Sequence, residues 1–493
     1  MKASRRALAL VPSSCAALIS GCMVGPNYHL PQSAVINSSA ARQDFVSSAD
    51  PTLSRTAVPD SWWHLYEDRR LDGWVEEALI NNTDLRKADA NLERSHAELR
   101  EARTRRQPSA GVTGGVQYSQ LSGEQYLLPV TLPRDKYYDT ELTVSYDLDL
   151  FGGIRRGIEA ARADDQAVEA ARDLVRVNVA AETIRAYADA CGAGLQLEAA
   201  VRSLTFQQES LDLTERLFQG GRAIDLDVTR VRQLVDQQSG LIPTYEAARR
   251  NALFRLATLT GKPPALFDHA LETCTAPPRL TRALPVGDGA ALLRRRPDVR
   301  EAERQLAAAT ANIGVETAQL YPDIAIGGEL GSTGVVRDAF TGPTNLWGLG
   351  VILKWQANQS AARARIQGAK ASAKLALANF DGVVLAALRD VETSLNTYVH
   401  DLQREDSTRK ARDEAERAVR ESEKLQAGGR ATALVVIDAQ RAYAASEQTL
   451  AELETAIAQD QIAVFLALGG GWGEDTASGG HGTELPTTDR NRP

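Results

Sequence analysis

Between Thr140 and Leu150 the chain reads TELTVSYDLDL, and its apolar and polar residues alternate. Leu142, Val144, Tyr146 and Leu148 would share one face of an extended strand, with Thr143, Ser145 and Asp147 on the other. Residues 111–118 and 323–331 alternate more weakly, and Trp347, Leu349, Val351 and Leu353 alternate with Gly348 and Gly350. The pattern predicts four strands whose apolar faces suit lipid.

Elsewhere the period changes from two to between three and four. Leu174, Val177, Ala181, Ile184, Ala188, Cys191 and Leu195 form one stripe, and Val384, Leu388, Val391, Leu395, Tyr398 and Leu402 form another. Each lies in a long helical pattern, from about Gly157 to Phe218 and from about Ala362 to Gln426. At about 1.5 Å per residue each helix would be roughly 90 Å long, several times the hydrocarbon thickness of a bilayer. The stripes are packing seams, and their short side chains suit closely packed helices in a tube wall. Both helices stop at a Gly-Gly pair, where the chain turns back into an antiparallel partner.

The chain is a duplication. NNTDLRKADANLERSHAELREARTRRQPSAGVTGG has a counterpart in RRRPDVREAERQLAAATANIGVETAQLYPDIAIGG, each opening at an aspartate (Asp84, Asp298) and breaking at a proline (Pro108, Pro322). FQGGRAIDLDVTRVR likewise matches LQAGGRATALVVIDAQR. Each half reads as short helix, strand, loop, strand, very long helix, turn and return helix. The expected divisions are a leader at 1–21, an N-terminal segment at 22–72, a first repeat at 73–286, a second at 287–472, and a polar tail at 473–493 for which disorder is expected.

Four strands cannot close a barrel, and an open edge in hydrocarbon leaves backbone N–H and C=O groups unpaired. Several chains must therefore share one barrel. No run of 18 or more consecutive apolar residues follows the leader, so strands and not helices would cross the membrane.

The leader has Lys2, Arg5 and Arg6 ahead of the apolar stretch Ala7–Ile19, the layout of an export signal. Leu18, Ile19, Ser20, Gly21 and Cys22 resemble a bacterial lipobox, which makes Cys22 the first residue of an exported chain, carrying a diacylglycerol thioether and an N-acyl chain. Met23 and Val24 lack the aspartate that commonly retains lipoproteins in the inner membrane. Of the remaining cysteines, Cys191 lies in a seam as a small buried residue, and Cys191 and Cys274 are expected as two free thiols.

Composition narrows the chemistry. Aromatic residues make up only 5% of 493, and the net charge of −8, with arginines balanced locally by acids, argues against nucleic-acid binding. No Walker A sequence, GxSxG, HExxH or CxxC occurs, and no enzyme and no bound cofactor or metal are expected. Arg294, Arg295 and Arg296 could suggest an anion site, but read better as a basic helix start balanced by Glu301 and Glu303; Asp84, Pro297 and Asp298 also read as helix-start residues.

Several stretches together resemble the TolC-like outer membrane efflux proteins, in the lipoprotein branch serving RND-type multidrug efflux. They include the lipobox followed by GPNY, WWHLYEDRRLDGWVEEALINNTDLR, YDLDLFGGIRR, LTERLFQGGRAIDLDVTRVR, LLRRRPDVREAERQL, AQLYPDIAIGG, VIDAQRAYAASEQTL and LALGGGW. The resemblance implies a mainly α chain with a small β part. Three copies would form a twelve-stranded outer-membrane β-barrel, continuous with a helical barrel crossing the periplasm. A collar of residues 23–72, 262–290 and the C-terminal part would surround it. It also implies passive export of drugs or other small molecules, with a periplasmic adaptor, an inner-membrane RND-type pump and outer membrane lipids as partners. The adaptor would meet the hairpin tips at Gly220, Gly221, Arg222, Gly428, Gly429 and Arg430.

The resemblance further places Leu434 and Asp438, four residues apart on one helix face, at a periplasmic gate. Counting from the matched glycines, Leu226 faces Leu434 and Asp227 faces Val435, while Asp438 occurs only in the second half. One departure stands out. After the fourth strand, KWQANQSAAR puts Ala357 and Asn358 where glycines are usual, and Asn358 is expected to take up the left-handed turn. The alternatives are the exit duct of a type I secretion system and a lipid-anchored trimeric coiled-coil spacer.

Overall fold

A computed structural model of the chain describes residues 23–124 and 127–470. The leader, Cys22, Trp472 and the tail at 473–493 lie outside them. Two compact units appear. One takes residues up to Ala34 with 90–169 and 300–382; the other takes 35–89, 170–299 and residues from 383 onward.

The duplication is visible element by element. A short strand β1 (Leu53–Ser54) precedes α1 (Arg69–Asn81) and α2 (Thr83–Thr104), then come β2 (Ser109–Gln120), β3 (Arg134–Asp147), α3 (Gly153–Gln219), α4 (Asp225–Ser239) and α5 (Leu241–Leu259). The second half runs through β4 (Leu284–Pro285), α6 (Gly289–Arg295), α7 (Pro297–Ala318), β5 (Asp323–Val335), β6 (Asn345–Lys354), α8 (Ser360–Ala427) and α9 (Ala433–Ala467). Helices α2 and α7 have 22 residues each, and α3 and α8 have 67 and 68. The return helix is split in the first half only, into 15 and 19 residues around Gly240, against 35 unbroken residues in α9.

The helix-start reading holds, with Asp84 in the first turn of α2 and Pro297 and Asp298 at the start of α7. Asn82, not Asp84, caps α2: its Oδ1 accepts from Asp84 N at 2.8 Å and Leu85 N at 3.2 Å, while Asp84 pairs with Lys87 one turn on. Pro297 opens α7, where its missing N–H costs nothing.

The first unit holds an antiparallel sheet in the order β2-β3-β5-β6. Its strands outrun the predicted ones at their far ends, where polar residues continue the ladder as in Ser119↔Asp135 and Gln120↔Arg134, but β3 stops at Asp147, short of Leu148. The register assembles one face from the pairs Val112↔Leu142, Val144↔Gly328, Tyr146↔Ile326, Leu142↔Leu330, Leu330↔Trp347 and Ile326↔Val351. Val112, Leu142, Leu330, Trp347, Leu349 and Val351 are all exposed there. The other face carries Thr113, Glu141, Thr143, Glu329 and glycines at 111, 115, 327, 331, 348 and 350; Leu346 and Ile352 are its apolar members on β6.

Core packing belongs to the second unit. Trp62 stacks on Phe465 with ring centroids 4.4 Å apart, and around them cluster Ile184 and Cys191 of α3, Leu253 and Leu256 of α5, Val391 and Leu395 of α8, and Ile457 and Ile462 of α9. Both predicted seams are therefore buried at their centres. Helix α8 also contains a stretch long and apolar enough to cross a bilayer by composition alone, but little of it is buried. Ala371, Leu375, Ala378, Gly382 and Leu385 there form an exposed stripe at the spacing of a helix-packing seam.

The expectation of two free thiols is overturned. Cys191 and Cys274 form a disulfide across a sequence separation of 83, with Cα atoms 4.7 Å apart. Seam spacing explains why Cys191 is buried but is silent about a connector arriving from 83 residues away. The connector lies tightly on α3 at Gly194, where a Cβ would come within 1.9 Å of the Cys274 carbonyl oxygen.

The joint after β6 is corrected as well. The non-glycine residues with positive φ among those described are Glu67, Leu127, Asp149 and Phe340, so Asn358 is not left-handed. Its Oδ1 accepts instead from Ser360 N at 3.1 Å and Ser360 Oγ at 2.8 Å, capping α8. In the first half Gly152 does adopt φ +79°, and Asp149 accepts from Ile154 N and Arg155 N. An Asx cap has replaced a glycine turn.

Two predictions follow from this packing. The disulfide closes a loop of 83 residues, worth about 4–5 kcal/mol by restriction of the unfolded chain. Replacing Cys191 and Cys274 together by serine should lower the melting temperature in calorimetry by several degrees; an unchanged value would show that the staple adds nothing. The second concerns Asp401 and Asp460, which face each other across α8 and α9. Partial burial, then repulsion from Asp401, pushes the Asp460 carboxyl up to about 6. Between about pH 4 and 6 the folded protein therefore holds a proton that the unfolded chain, with its ordinary carboxyl, has already released. Stability should rise as pH falls from above 6 towards 4. Asp460→Asn should stabilise at pH 7.5 by about 1 kcal/mol, allowing for screening of a half-exposed group, and flatten that rise. An equal pH slope in both proteins would refute the assignment.

Candidate tip, gate and anchor sites

The two hairpin tips are the same device used twice. Gly221 and Gly429 have φ of +69° and +70°. Arg222 N donates to Leu217 O and Gly221 N to Phe218 O, and the second tip repeats this with Arg430 N to Leu425 O and Gly429 N to Gln426 O. This double bond pattern is a Schellman cap, which satisfies the last carbonyls of a helix and requires a left-handed residue. Gly220, Gly221, Arg222, Gly428, Gly429 and Arg430 are all exposed, and nothing lies within 4 Å of where a Cβ would sit on Gly221 or Gly429. Their glycine requirement is thus one of backbone angle and not of internal space. Between the tips lies a cavity of about 990 Å3 lined in part by Phe206, Leu217, Ile224, Asp227, Glu423 and Val436.

Leu434 and Asp438 lie one turn apart at the start of α9, both exposed, on the face opposite buried Val436, Ile437 and Gln440. Their neighbour Val435 is exposed too, as is Leu226 in the first tip. Asp227 turns back locally, with its carboxylate accepting from Ile224 N at 3.4 Å.

Cys22 lies outside the described residues, but the segment directly after it is held firmly. Val24 N donates to Phe151 O at 3.1 Å, and the fully buried Arg156 donates to Val24 O, Gly25 O and Asn27 Oδ1 while pairing with Glu159. Gly25, at φ +85°, passes so close to α7 that a Cβ would meet Gly314 Cα at 2.4 Å. Residues 23–27 are therefore fastened to the start of α3, beside the end of the sheet. Sequence reasoning missed Arg156; its signal was the second arginine of FGGIRR, one helical turn past the glycine pair.

The arginines at 294–296 do not gather around an open anion site. Arg295 donates to the carbonyls of Val58, Pro59 and Gly469 and pairs with Asp60, and burial pulls its guanidinium below the usual range. Arg296 makes a two-pronged pair with Asp298 and donates to Ala467 O. They tie the second repeat's start to the end of α9, and their acids are Asp60 and Asp298 in place of the expected Glu301 and Glu303. A second cluster that sequence reasoning missed joins Arg279, Glu405, Arg409 and Glu454; two hydrogen-bonded guanidinium groups hold the Glu405 carboxyl below the usual range. Among the described residues no group of three or more His, Cys, Asp and Glu side chains is placed to hold a metal ion.

Comparison with known proteins gives these sites a setting. Residues 74–262 and 290–470 match the outer membrane efflux protein family. The chain is 30% identical to the pyoverdine export outer membrane protein OpmQ of Pseudomonas putida, over 86% of this chain and 92% of that protein. It is 27% identical to a probable outer membrane lipoprotein of Salmonella typhimurium, SilC, over 95% and 99%. Among solved structures, the outer-membrane channel OprN superposes with a TM-score of 0.85 at 32% identity, covering 92% of this chain and all of that one. The chain belongs to the outer membrane efflux protein family.

Proposed function

We propose that this outer membrane efflux protein is the exit duct of a tripartite system, passively conducting small molecules that a periplasmic adaptor and an inner-membrane RND-type pump deliver to it. Members of the family are outer membrane channels. The observation that carries the finer reading is the two-faced sheet. One face is apolar and exposed across all four strands; the other is mostly small and polar, with Leu346 and Ile352 as its apolar members on β6; and among the described residues β2 and β6 each leave an edge unpaired. Such a sheet suits a barrel wall between lipid and water, closed by two further copies. The exposed stripe from Ala371 to Leu385 on α8 supports the same homotrimer, since a neighbouring helix would cover it.

In this reading residues 23–72, with the connector near 262–290, form the collar, and 73–286 and 287–472 are the two repeats. Cys22 carries the lipid. The SilC name is that of a lipoprotein, and the fastened segment at 23–27 would set the anchor beside the barrel's end. The pyoverdine exporter among the relatives favours small-molecule cargo over secreted protein. A lipid-anchored spacer would have no use for the two-faced sheet.

The tips at Gly220–Arg222 and Gly428–Arg430 would receive the adaptor. Leu434 and Asp438, repeated by three-fold symmetry, would make an apolar ring beside a carboxylate ring that restricts the resting pore and favours cations.

Two experiments test these roles. Gly429→Phe places a side chain in open space at a strained φ, costing about 1–2 kcal/mol, so the trimer should still assemble while export in cells fails. Normal export by that variant would remove docking from this tip. In planar bilayers, Asp438→Ala should reduce cation selectivity, and adding Leu434→Ala should raise resting conductance. Wild-type selectivity and conductance in both variants would place the gate elsewhere, and the absence of any channel steps in the wild type would refute the duct itself.

A further inference from the structure

Three arginines stand where the first repeat's helix meets the sheet: Arg103 in the last turn of α2, and Arg105 and Arg106 just beyond it. All three are exposed, and none has an ion pair or a side-chain hydrogen bond among the described residues. The second repeat has no such group. Counting back from the matched prolines, Thr317, Gln319 and Leu320 occupy the equivalent places.

Their position in the fold is specific. The pairs Ser109↔Ser145, Asp147↔Ala325 and Asp323↔Lys354 put the start of β2, the end of β3, the start of β5 and the end of β6 at one edge of the sheet. The arginines border that edge. Aromatic side chains mark the same level: Phe151 stacks on Tyr321 at 4.5 Å, Tyr146 ends the apolar face, and exposed Trp355 donates from Nε1 to Leu320 O. Arg106 lines a cleft of about 180 Å3 with Tyr146, Leu148 and Ile154, and Arg105 lines one of about 780 Å3 with Tyr321, Leu353 and Trp355. Asp147 and Asp149 line both clefts and Asp323 the larger one; of these, Asp149 is engaged by Ile154 N and Arg155.

Three guanidinium groups within four residues repel one another, and none of them is ion-paired among the described residues, although Asp147 lines both clefts. At the lower rim of a lipid-facing band the available anions are phosphates of the adjoining leaflet, and interfacial aromatic rings belong at that depth. We propose that Arg103, Arg105 and Arg106 form a docking surface for the phosphate of an anionic phospholipid such as phosphatidylglycerol, in the leaflet nearest the helices. The proposal rests on the sheet being a membrane-spanning barrel wall. Trimerisation would repeat the surface three times around the rim, once for each first repeat.

The test is native mass spectrometry of the intact lipidated trimer, equilibrated with equal amounts of phosphatidylglycerol and phosphatidylethanolamine. The wild type should retain phosphatidylglycerol preferentially. The triple variant Arg103→Gln, Arg105→Gln, Arg106→Gln should lose that preference by about tenfold or more. Arg106→Gln alone should show a smaller loss and gives the answer should the triple variant not assemble. Single-channel conductance of the same samples should stay at the wild-type value, which separates loss of lipid binding from failure of the duct reading. Equal retention of both lipids by the wild type, unchanged preference in the variants, or displacement of the lipid by millimolar inorganic phosphate would each overturn the proposal.

Discussion

The rest of this chain's design depends on the fact that hydrocarbon cannot hydrogen-bond a peptide group. A sheet of four strands leaves its outermost N–H and C=O groups without partners, and each costs several kcal/mol in a bilayer. The chain can therefore do in a membrane only what several copies do together. Antiparallel pairing with period-two alternation then gives a wall with one apolar and one polar side at no further cost in sequence complexity. Helices of 67 and 68 residues follow directly from strands β3 and β6, so the same requirement for copies passes to the helical part. There the exposed stripe on α8 is left uncovered among the described residues.

Periodic features were legible in the sequence because periodicity is a local property. Leu142, Val144 and Tyr146 had to share a face once a strand formed, and Ile184, Ala188, Val391 and Leu395 had to be buried once the helices packed. The glycines of the tips were legible for a related reason, since a Schellman cap needs a left-handed residue and leaves a short signature. What stayed hidden depends on residues distant in sequence. The Cys191–Cys274 bridge needs a connector to lie on α3, and Arg156 acts on residues more than 120 positions away, as its bonds to Val24, Gly25 and Asn27 show. No pattern along either segment announces such a meeting. The gate and docking assignments draw on resemblance, because an exposed leucine and aspartate at helical spacing fit a solvated surface equally well in a single chain.

The duplication makes the halves natural controls for each other. The Schellman cap is the same in both, and five residues, Gly220 to Ile224 and Gly428 to Thr432, link long and return helices in each. The strand-to-helix joints are not. One uses Gly152 with positive φ and a double-accepting Asp149; the other uses Asn358 as a cap, with Trp355 and Gln359 both donating to Leu320 O. Where one copy keeps a device and the other replaces it, a satisfied helix start was needed and the left-handed turn was not. The Schellman glycines fail that substitution twice, which argues that their backbone angle is itself required.

Packing is distributed in a way that suits a duct which must be rigid in one place and movable in another. Around Trp62 and Phe465 five segments meet, a disulfide and two arginine clusters fasten them, and the charged residues involved are paired or bonded to carbonyls. Loosening that region would expose a large apolar area at about 25 cal/mol per Å2 and strand guanidinium groups as well. Towards the tips the core thins to a small cluster of Val231, Leu234 and Ile437, beside a cavity of about 990 Å3, while Phe218, Ile224, Leu226 and Leu434 stay exposed. Local opening is cheapest where few apolar contacts are lost. A partner that covers exposed apolar residues at the tips would regain area as it moved them, so the energy to rearrange this end can come from docking alone.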